Sequence, residues 1–201
     1  MAKKTKKKTA KAAARKAKPA ARKSTAKRST ARKSIAPAMA SPKQQYLDVL
    51  GREHQTTLRV MRAFPSGQGG FQPHERSSSA KRLMWTFAIE QNIALNAIKG
   101  TLKMPPSFPP EPDTVEEAIA AFETAVKEVI ATLEKAPDSR VFGTAPFFAG
   151  PGKIADYRIL DLIWMMLLDQ IHHRGQLSVY NRMAGGKVPS IYGPSADEPW
   201  M

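Results

Sequence analysis

The residues whose types and spacing could do chemistry lie in a polar segment within an apolar stretch near the C-terminus. This segment reads Asp169-Gln-Ile-His172-His173-Arg174-Gly175-Gln176. On a helix, Asp169 and His173 are four residues apart and share one face, so they could bind one metal ion together, whereas His172 points elsewhere. Without a metal, Asp169 could accept a hydrogen bond from His173, which would satisfy both groups inside a helical core. Taken alone, these residues leave the metal-bound pair and the metal-free pair both open.

The apolar residues follow the helical period along the whole chain after Ser41, and strand-like alternation is hard to find. Helix-start signals include the Ser41-Pro42-Lys43-Gln44 cap, a run of three serines and a Thr114/Glu117 capping box. The predicted helices run from Ser41 to Pro65, from Ser77, Ser78 or Ser79 to Gly100, from Thr114 to about residue 135, and from about Asp156 to Ala184.

Two long connections join these helices. Thr101 to Pro112 carries five Pro and cannot form regular structure, and its length predicts a crossover between non-adjacent ends of a bundle. Residues 136–155 are rich in Gly and Pro and are predicted to form a loop. The pattern predicts an all-α fold, a four-helix bundle over residues 41–201, in which inward-facing side chains of neighbouring helices supply any chemistry.

The C-terminal sequence Ile171-His-His-Arg-Gly-Gln-Leu-Ser-Val-Tyr180, followed by Val188-Pro-Ser-Ile-Tyr-Gly-Pro194, resembles that of DinB-family proteins. Helix order and the serine-rich start of the second helix are similar too, so the resemblance covers about residues 42–198. It implies a DinB/YfiT-like four-helix bundle, often dimeric, that holds a divalent metal through three histidines. One histidine lies on the second helix, and a His-x-x-x-His pair lies on the fourth. Some members of the family transfer low-molecular-weight thiols or act as metal-dependent hydrolases.

Carried over to this chain, the resemblance preserves one of the three histidine ligands. His173 matches the second histidine of the pair, Asp169 stands at the position of the first, and the second-helix histidine falls at Thr86. Asp can bind zinc or harder metals, whereas Thr is a poor ligand. Glu90, one turn after Thr86, could substitute if it faces the same cavity. A site of Glu90, Asp169 and His173 would hold a divalent ion such as Zn, Ni, Fe or Mn and leave positions open for water.

Residues 1–40 differ from the rest of the chain in charge and composition. They contain 11 Lys and 4 Arg and no Asp or Glu, so they carry the whole formal net charge of +15, while the remainder holds 17 basic and 17 acidic residues. They also lack the Leu, Val, Phe, Tyr and Trp that would form a core. The composition predicts a disordered basic tail, residues 1–40, ahead of the bundle, residues 41–201.

The tail contains a short repeat that begins at Ala21, Ala26 and Ala31, and its composition resembles the tails of linker histones and bacterial histone-like proteins. Lys and Arg side chains that neutralise phosphates release counterions, which gives sequence-independent affinity. We therefore expect the tail to bind DNA. RNA, another polyanion, an acidic membrane surface or a merely solubilising role are the alternatives, although the tail lacks the apolar face of an interfacial helix. The predicted nucleic-acid-binding residues are Lys3, Lys4, Lys6, Lys7, Lys8, Lys11, Arg15, Lys16, Lys18, Arg22, Lys23, Lys27, Arg28, Arg32 and Lys33.

Several classes of protein are excluded by what the sequence lacks. The chain has no Cys, and therefore no disulfide framework, thiolate metal site or cysteine nucleophile. Its most apolar run, Ile159 to Leu168, is too short to span a membrane, and no Gly-rich phosphate loop or nucleophile elbow is present. We expect a cytoplasmic, nucleoid-associated protein. His54 and His74 are interpreted as ordinary surface or boundary residues.

Two functions follow from these observations. Loss of two histidine ligands favours a non-catalytic DinB-like bundle with a degraded or altered metal site, held near DNA by its tail as a stress-associated or nucleoid-associated protein. The alternative is a metal-dependent thiol transferase or hydrolase that uses an altered Asp/His/Glu site. In both, the family resemblance implies a homodimer formed through the bundle. Bound metal that depends on Asp169 and His173 would separate the two functions.

Overall fold

The computed structural model of the chain describes residues 40–201, and residues 1–39 of the basic tail, which include all its candidate DNA-binding residues, lie outside them. Four α-helices make up most of the described part, as predicted: α1 (Pro42–Arg62), α2 (Ala80–Lys99), α3 (Val115–Lys135) and α4 (Ile159–Met183). Two short 3-10 helices (Ser66–Gln68 and Asp138–Phe142) and a two-stranded sheet of β1 (Thr144–Gly150) and β2 (Lys153–Arg158) complete it. Within residues 40–201, no helix combines the length and the apolar character needed to cross a membrane.

Local hydrogen bonds explain where three of the helices begin. Side-chain oxygens at the N-caps accept bonds from amides of the first turn, from Ser41 in α1, Ser79 in α2 and Thr114 in α3. Glu117 returns a bond to the Thr114 amide, which completes the predicted capping box. The Gln44 side chain bonds within α1 instead, so the box predicted there is half formed. α2 ends as predicted before Gly100, whose φ of +75° suits glycine.

Packing places α1 and α2 on one diagonal of the bundle, because each of them contacts both α3 and α4. The interior is apolar, and its fully buried side chains include Leu50, Met61, Phe87, Phe122, Leu133, Leu162 and Ile163.

The linker Thr101–Pro112 lacks helix and strand, as predicted. However, the two helices that it joins, α2 and α3, pack directly against each other, which differs from the expected crossover between non-adjacent ends.

The segment predicted as the loop 136–155 contains a β-hairpin instead. β1 and β2 pair antiparallel, from Thr144 opposite Arg158 to Gly150 opposite Lys153. Most residues of both strands are exposed or half-buried, so the alternation of apolar and polar residues that identifies a strand in a sequence is missing. β2 also occupies residues assigned to the fourth helix, and α4 begins at Ile159 rather than near Asp156.

Arg174 ties α4 to α1 and to the C-terminal segment. Only 1 % of its surface is exposed, and its guanidinium lies 2.7 Å from the Glu53 carboxylate and donates to the Thr57 hydroxyl. The Tyr192 hydroxyl accepts a hydrogen bond from Arg174 at 2.5 Å and donates one to Glu53 at 2.7 Å. The buried cation is therefore neutralised and hydrogen-bonded at once, which is what a charge needs in a core.

We predict that Arg174→Met destabilises the bundle far more than Arg182→Met. Removal of the buried cation leaves Glu53 without its ion pair, which costs about 3–5 kcal/mol in the free energy of unfolding. Arg182, on the same helix, pairs with Asp197 at the surface, where solvent screens the ion pair and the loss should be much smaller. Urea denaturation of the wild type and both variants measures these costs, and equal losses would contradict the role given to Arg174.

His54 is buried in α1, contrary to the surface or boundary position expected for it. Its ring packs on Phe122 with centroids 5.3 Å apart, and its Nδ1 has no hydrogen-bond partner in the described part of the chain. Burial lowers the pKa of His54 from its ordinary 6.5; Glu123 opposes this change, while Lys127 and Arg62 add to it. The folded protein therefore keeps His54 neutral at pH values where the unfolded chain binds a proton.

We predict that His54→Leu alters the pH dependence of stability. Because the pKa is depressed in the folded state, the wild type should lose stability as the pH falls below about 6.5, where the unfolded chain takes up a proton. The variant lacks this proton uptake. As the pH falls from about 7.5 to about 5.5, its free energy of unfolding should therefore rise relative to that of the wild type. Urea titrations across this range measure the difference, and a constant difference would show that His54 is not responsible.

Candidate metal centre

A chain of buried amide contacts fixes how α2 faces α4. The Gln91 side-chain amide donates to the Gln170 carbonyl oxygen at 2.7 Å, and the Gln170 amide donates to the Thr57 hydroxyl of α1 at 3.1 Å. All three side chains are buried. Glu90 precedes Gln91, and His173 follows Gln170 by about one turn, so this contact sets both residues at the same α2–α4 interface.

Glu90, Asp169 and His173 meet at this interface. His173 Nδ1 lies 2.8 Å from Glu90 Oε1 and 3.9 Å from Asp169 Oδ1, and one ligand atom of each residue lies within 4.8 Å of the others. The Glu90 side chain is 4 % exposed and that of Asp169 is 50 % exposed, so the cluster is buried at one end and open to solvent at the other. The predicted metal-free pair is therefore wrong in its partner, because His173 bonds Glu90 of another helix rather than Asp169.

Thr86, the position that the resemblance equates with a histidine, forms a hydrogen bond within its own helix. Its hydroxyl donates to the Arg82 carbonyl oxygen at 3.1 Å, within α2. Glu90, one turn later, lines the same cavity as Asp169, which is the condition under which it could replace Thr86. The structure thus brings together Glu90, Asp169 and His173 as a possible metal-binding group.

Burial dominates the electrostatics of this group. Removal from water raises the pKa of Glu90 to about 7, and the hydrogen bond and charge of His173 oppose this only in part. The hydrogen bond with Glu90 in turn raises the pKa of His173. The second carboxylate oxygen, Glu90 Oε2, is buried without a hydrogen-bond partner among the described residues. One imidazole and two carboxylates, one of which has a buried oxygen without a partner, fit a divalent cation. That oxygen would coordinate the cation, and the cation would stabilise the charged form of Glu90.

An open cavity of about 570 Å³ lies beside the cluster, with walls from α2, α4 and β1. Two of the ligand candidates, Glu90 and Asp169, are among its lining residues. The others are Thr86, Ile89, Ile93, Phe147, Met165, Met166, Leu168 and His172. The helical periodicity of the sequence does not identify Phe147 as part of the cavity wall, because Phe147 belongs to the hairpin that the periodicity does not predict. A molecule in this cavity would contact the carboxylates directly.

His172 lines the cavity but stays outside the donor cluster. Its ring centroid is 5.5 Å from that of His173, and its Nε2 lies 2.9 Å from the Gln176 side-chain nitrogen on the exposed side of α4. This matches the expectation that His172 and His173 point in different directions. The neighbouring histidines therefore offer a matched pair for experiments, since only His173 contacts Glu90.

Comparisons with known proteins bear on this architecture. The family model described as DinB family matches residues 39–200, which is most of the chain. The chain belongs to the DinB family. A crystal structure of a DinB-like protein from Bacillus cereus ATCC 10987 has a TM-score of 0.63 at 17 % identity, and the match covers 74 % of this chain and 97 % of that one. For the DinB-like protein YjoA from Bacillus subtilis, the TM-score is 0.56 at 17 % identity, with 72 % and 96 % covered. Both likenesses concern the DinB fold alone.

A curated relative matches a shorter part of this DinB-family chain. The uncharacterized protein YrdA of Bacillus subtilis strain 168 is 49 % identical over 37 residues, which is 18 % of this chain and 22 % of YrdA. The match therefore spans about a fifth of the relative. It agrees with common ancestry and carries no activity with it.

Proposed function

We propose that this DinB-family bundle is a metal-dependent hydrolase or thiol transferase, with Glu90, Asp169 and His173 as the metal ligands. Glu90 Oε2 carries the proposal, because it is a buried carboxylate oxygen without a partner among residues 40–201, beside an imidazole and a second carboxylate. An unsatisfied buried acceptor costs about 1–3 kcal/mol, and more when it is charged. Ligation of a divalent ion would remove that cost.

The number of ligands supports this function over a non-catalytic bundle. The preference for a non-catalytic protein depended on the loss of two of the three family histidines. Glu90 and Asp169 supply two oxygen donors beside His173, so a set of three protein donors is available again. Three protein ligands leave coordination positions free for substrate or water, as catalytic sites do and closed structural sites do not.

Each of the three residues would have its own part in the centre. Glu90 offers a buried oxygen from α2, His173 a nitrogen from α4, and Asp169 an oxygen at the solvent-exposed end. Zn, Ni, Fe and Mn all accept a mixture of imidazole and carboxylate ligands. A divalent ion held there would supply Lewis-acid chemistry to a carbonyl or thiol group in the adjacent cavity.

We also propose that residues 1–40 hold the bundle near DNA. The charge distribution favours this role, because the tail carries the full +15 of the chain and the remainder is balanced. Phosphate contacts by Lys and Arg position a protein without reading bases, so the association is independent of sequence and would place the protein at the nucleoid in the cytoplasm. The homodimer implied by the family resemblance remains a prediction.

The metal proposal predicts about one divalent ion per chain in full-length protein purified without an affinity-metal column. His173→Ala and Glu90→Gln each remove or weaken a ligand, so both should lose the ion. His172→Ala, at the neighbouring position outside the cluster, should keep it. Inductively coupled plasma mass spectrometry of the four proteins measures the metal content. Metal retained in His173→Ala, or none in wild type even after reconstitution with Zn or Mn, would refute the proposal.

The tail proposal predicts that deletion of residues 1–40 abolishes DNA binding. With six to ten phosphate contacts, the affinity of the full chain should fall by about 10³–10⁵-fold between about 50 and 200 mM salt. Fluorescence anisotropy with two duplexes of unrelated sequence should give equal affinities. Affinity that survives in residues 41–201 would contradict the proposal, and tighter binding to RNA or to anionic vesicles would identify a different polyanion.

A further inference from the structure

We infer that the cavity beside the metal centre binds the apolar part of a small substrate whose groups away from the metal are uncharged or cationic, and disfavours a substrate that carries an anionic group along the cavity wall. This inference deepens the proposed function and rests on it, because it names the class of molecule on which the centre would act. It is drawn from the residue types that line the cavity, their charge, and the position of the donor carboxylates.

Apolar side chains form the greater part of the cavity wall. Ile89 and Ile93 come from α2, Met165 and Leu168 from α4, and Phe147 from β1. A volume of about 570 Å³ lies within the range of small-molecule sites, which are typically apolar with a few convergent polar groups. The flexible thioether of methionine adapts to irregular ligands and makes favourable contacts with aromatic rings. The wall therefore suits an aliphatic chain or an aromatic ring.

The ionisable side chains of the wall are two carboxylates and one histidine, His172. Glu90 and Asp169 line the cavity, and none of its lining residues in the described part of the chain is Lys or Arg. Without metal, a carboxylate or phosphate in the cavity would be repelled by Asp169. With a divalent ion in place, the two ligand carboxylates offset its charge, and no Lys or Arg among the described residues lines the wall to hold an anionic group farther from the ion. An amine or a neutral group meets no such penalty.

A series of ligands with one ring and three charges tests this inference. Benzyl alcohol, benzylamine and benzoate are titrated into full-length protein carrying ¹³C-methyl methionine, both metal-free and loaded with Zn. The methyl signals of Met165 and Met166, assigned by Met→Leu substitution, should shift with benzyl alcohol and benzylamine. The metal-free protein should bind benzoate at least about ten-fold more weakly than it binds benzyl alcohol or benzylamine. If the metal-free protein binds all three ligands with equal affinity, or if none of them shifts the methyl signals, the inference is overturned.

Two exposed aliphatic residues of α4 supply a matched pair of variants. Leu168 lines the cavity and is 60 % exposed, whereas Val179 is 57 % exposed and does not line it. Leu168→Lys should weaken benzylamine binding and strengthen benzoate binding, while Val179→Lys should change neither. Identical behaviour of the two variants would show that the rings bind elsewhere, and would overturn the inference.

Metal content is measured on the same samples, so the two proposals can fail separately. Ring-induced shifts in a chain that takes up no Zn would overturn the metal-dependent function and support the charge preference of the cavity. Stoichiometric Zn without ring-induced shifts would support the metal centre and overturn the inference about its substrates.

Discussion

The bundle depends on how it satisfies the polar side chains that α4 carries into an apolar core. Gln170 bonds Gln91 and Thr57, and Arg174 bonds Thr57 and Glu53, so α4 is joined to both α1 and α2 through groups of which all but Glu53 are fully buried. Each of these groups would cost about 1–3 kcal/mol or more if it lost its partner. The helices are therefore restricted to one register, and that register places the next residues along, Glu90 and His173, in contact.

The proposed metal site and the proposed DNA-binding tail lie in different parts of the sequence. The donor group lies inside a bundle whose basic and acidic residues balance, and the excess of positive charge lies in residues 1–40. In the proposed scheme, phosphate contacts by the tail position the DinB-family bundle near nucleic acid. The residues of the described part of the chain that line the cavity include no Lys or Arg.

Local features of the structure could be predicted from the sequence, and features that depend on packing could not. The caps Ser41, Ser79 and Thr114 act through their own first turns, so the helix starts were predictable. Spacing alone placed Asp169 near His173, but only packing shows that Glu90 is the nearer partner. The β-hairpin could not be predicted because its strands are largely exposed. The cavity wall that Phe147 of β1 contributes could therefore not be predicted either.

Anomalous diffraction from crystals of the protein grown with Mn²⁺ or Zn²⁺ tests the metal centre most directly. The account predicts an anomalous peak between α2 and α4, with His173 nitrogen and oxygens of Glu90 and Asp169 each about 2.0–2.3 Å away. A peak bounded by other residues, or a His173–Glu90 hydrogen bond that persists with no peak beside it, would contradict the account.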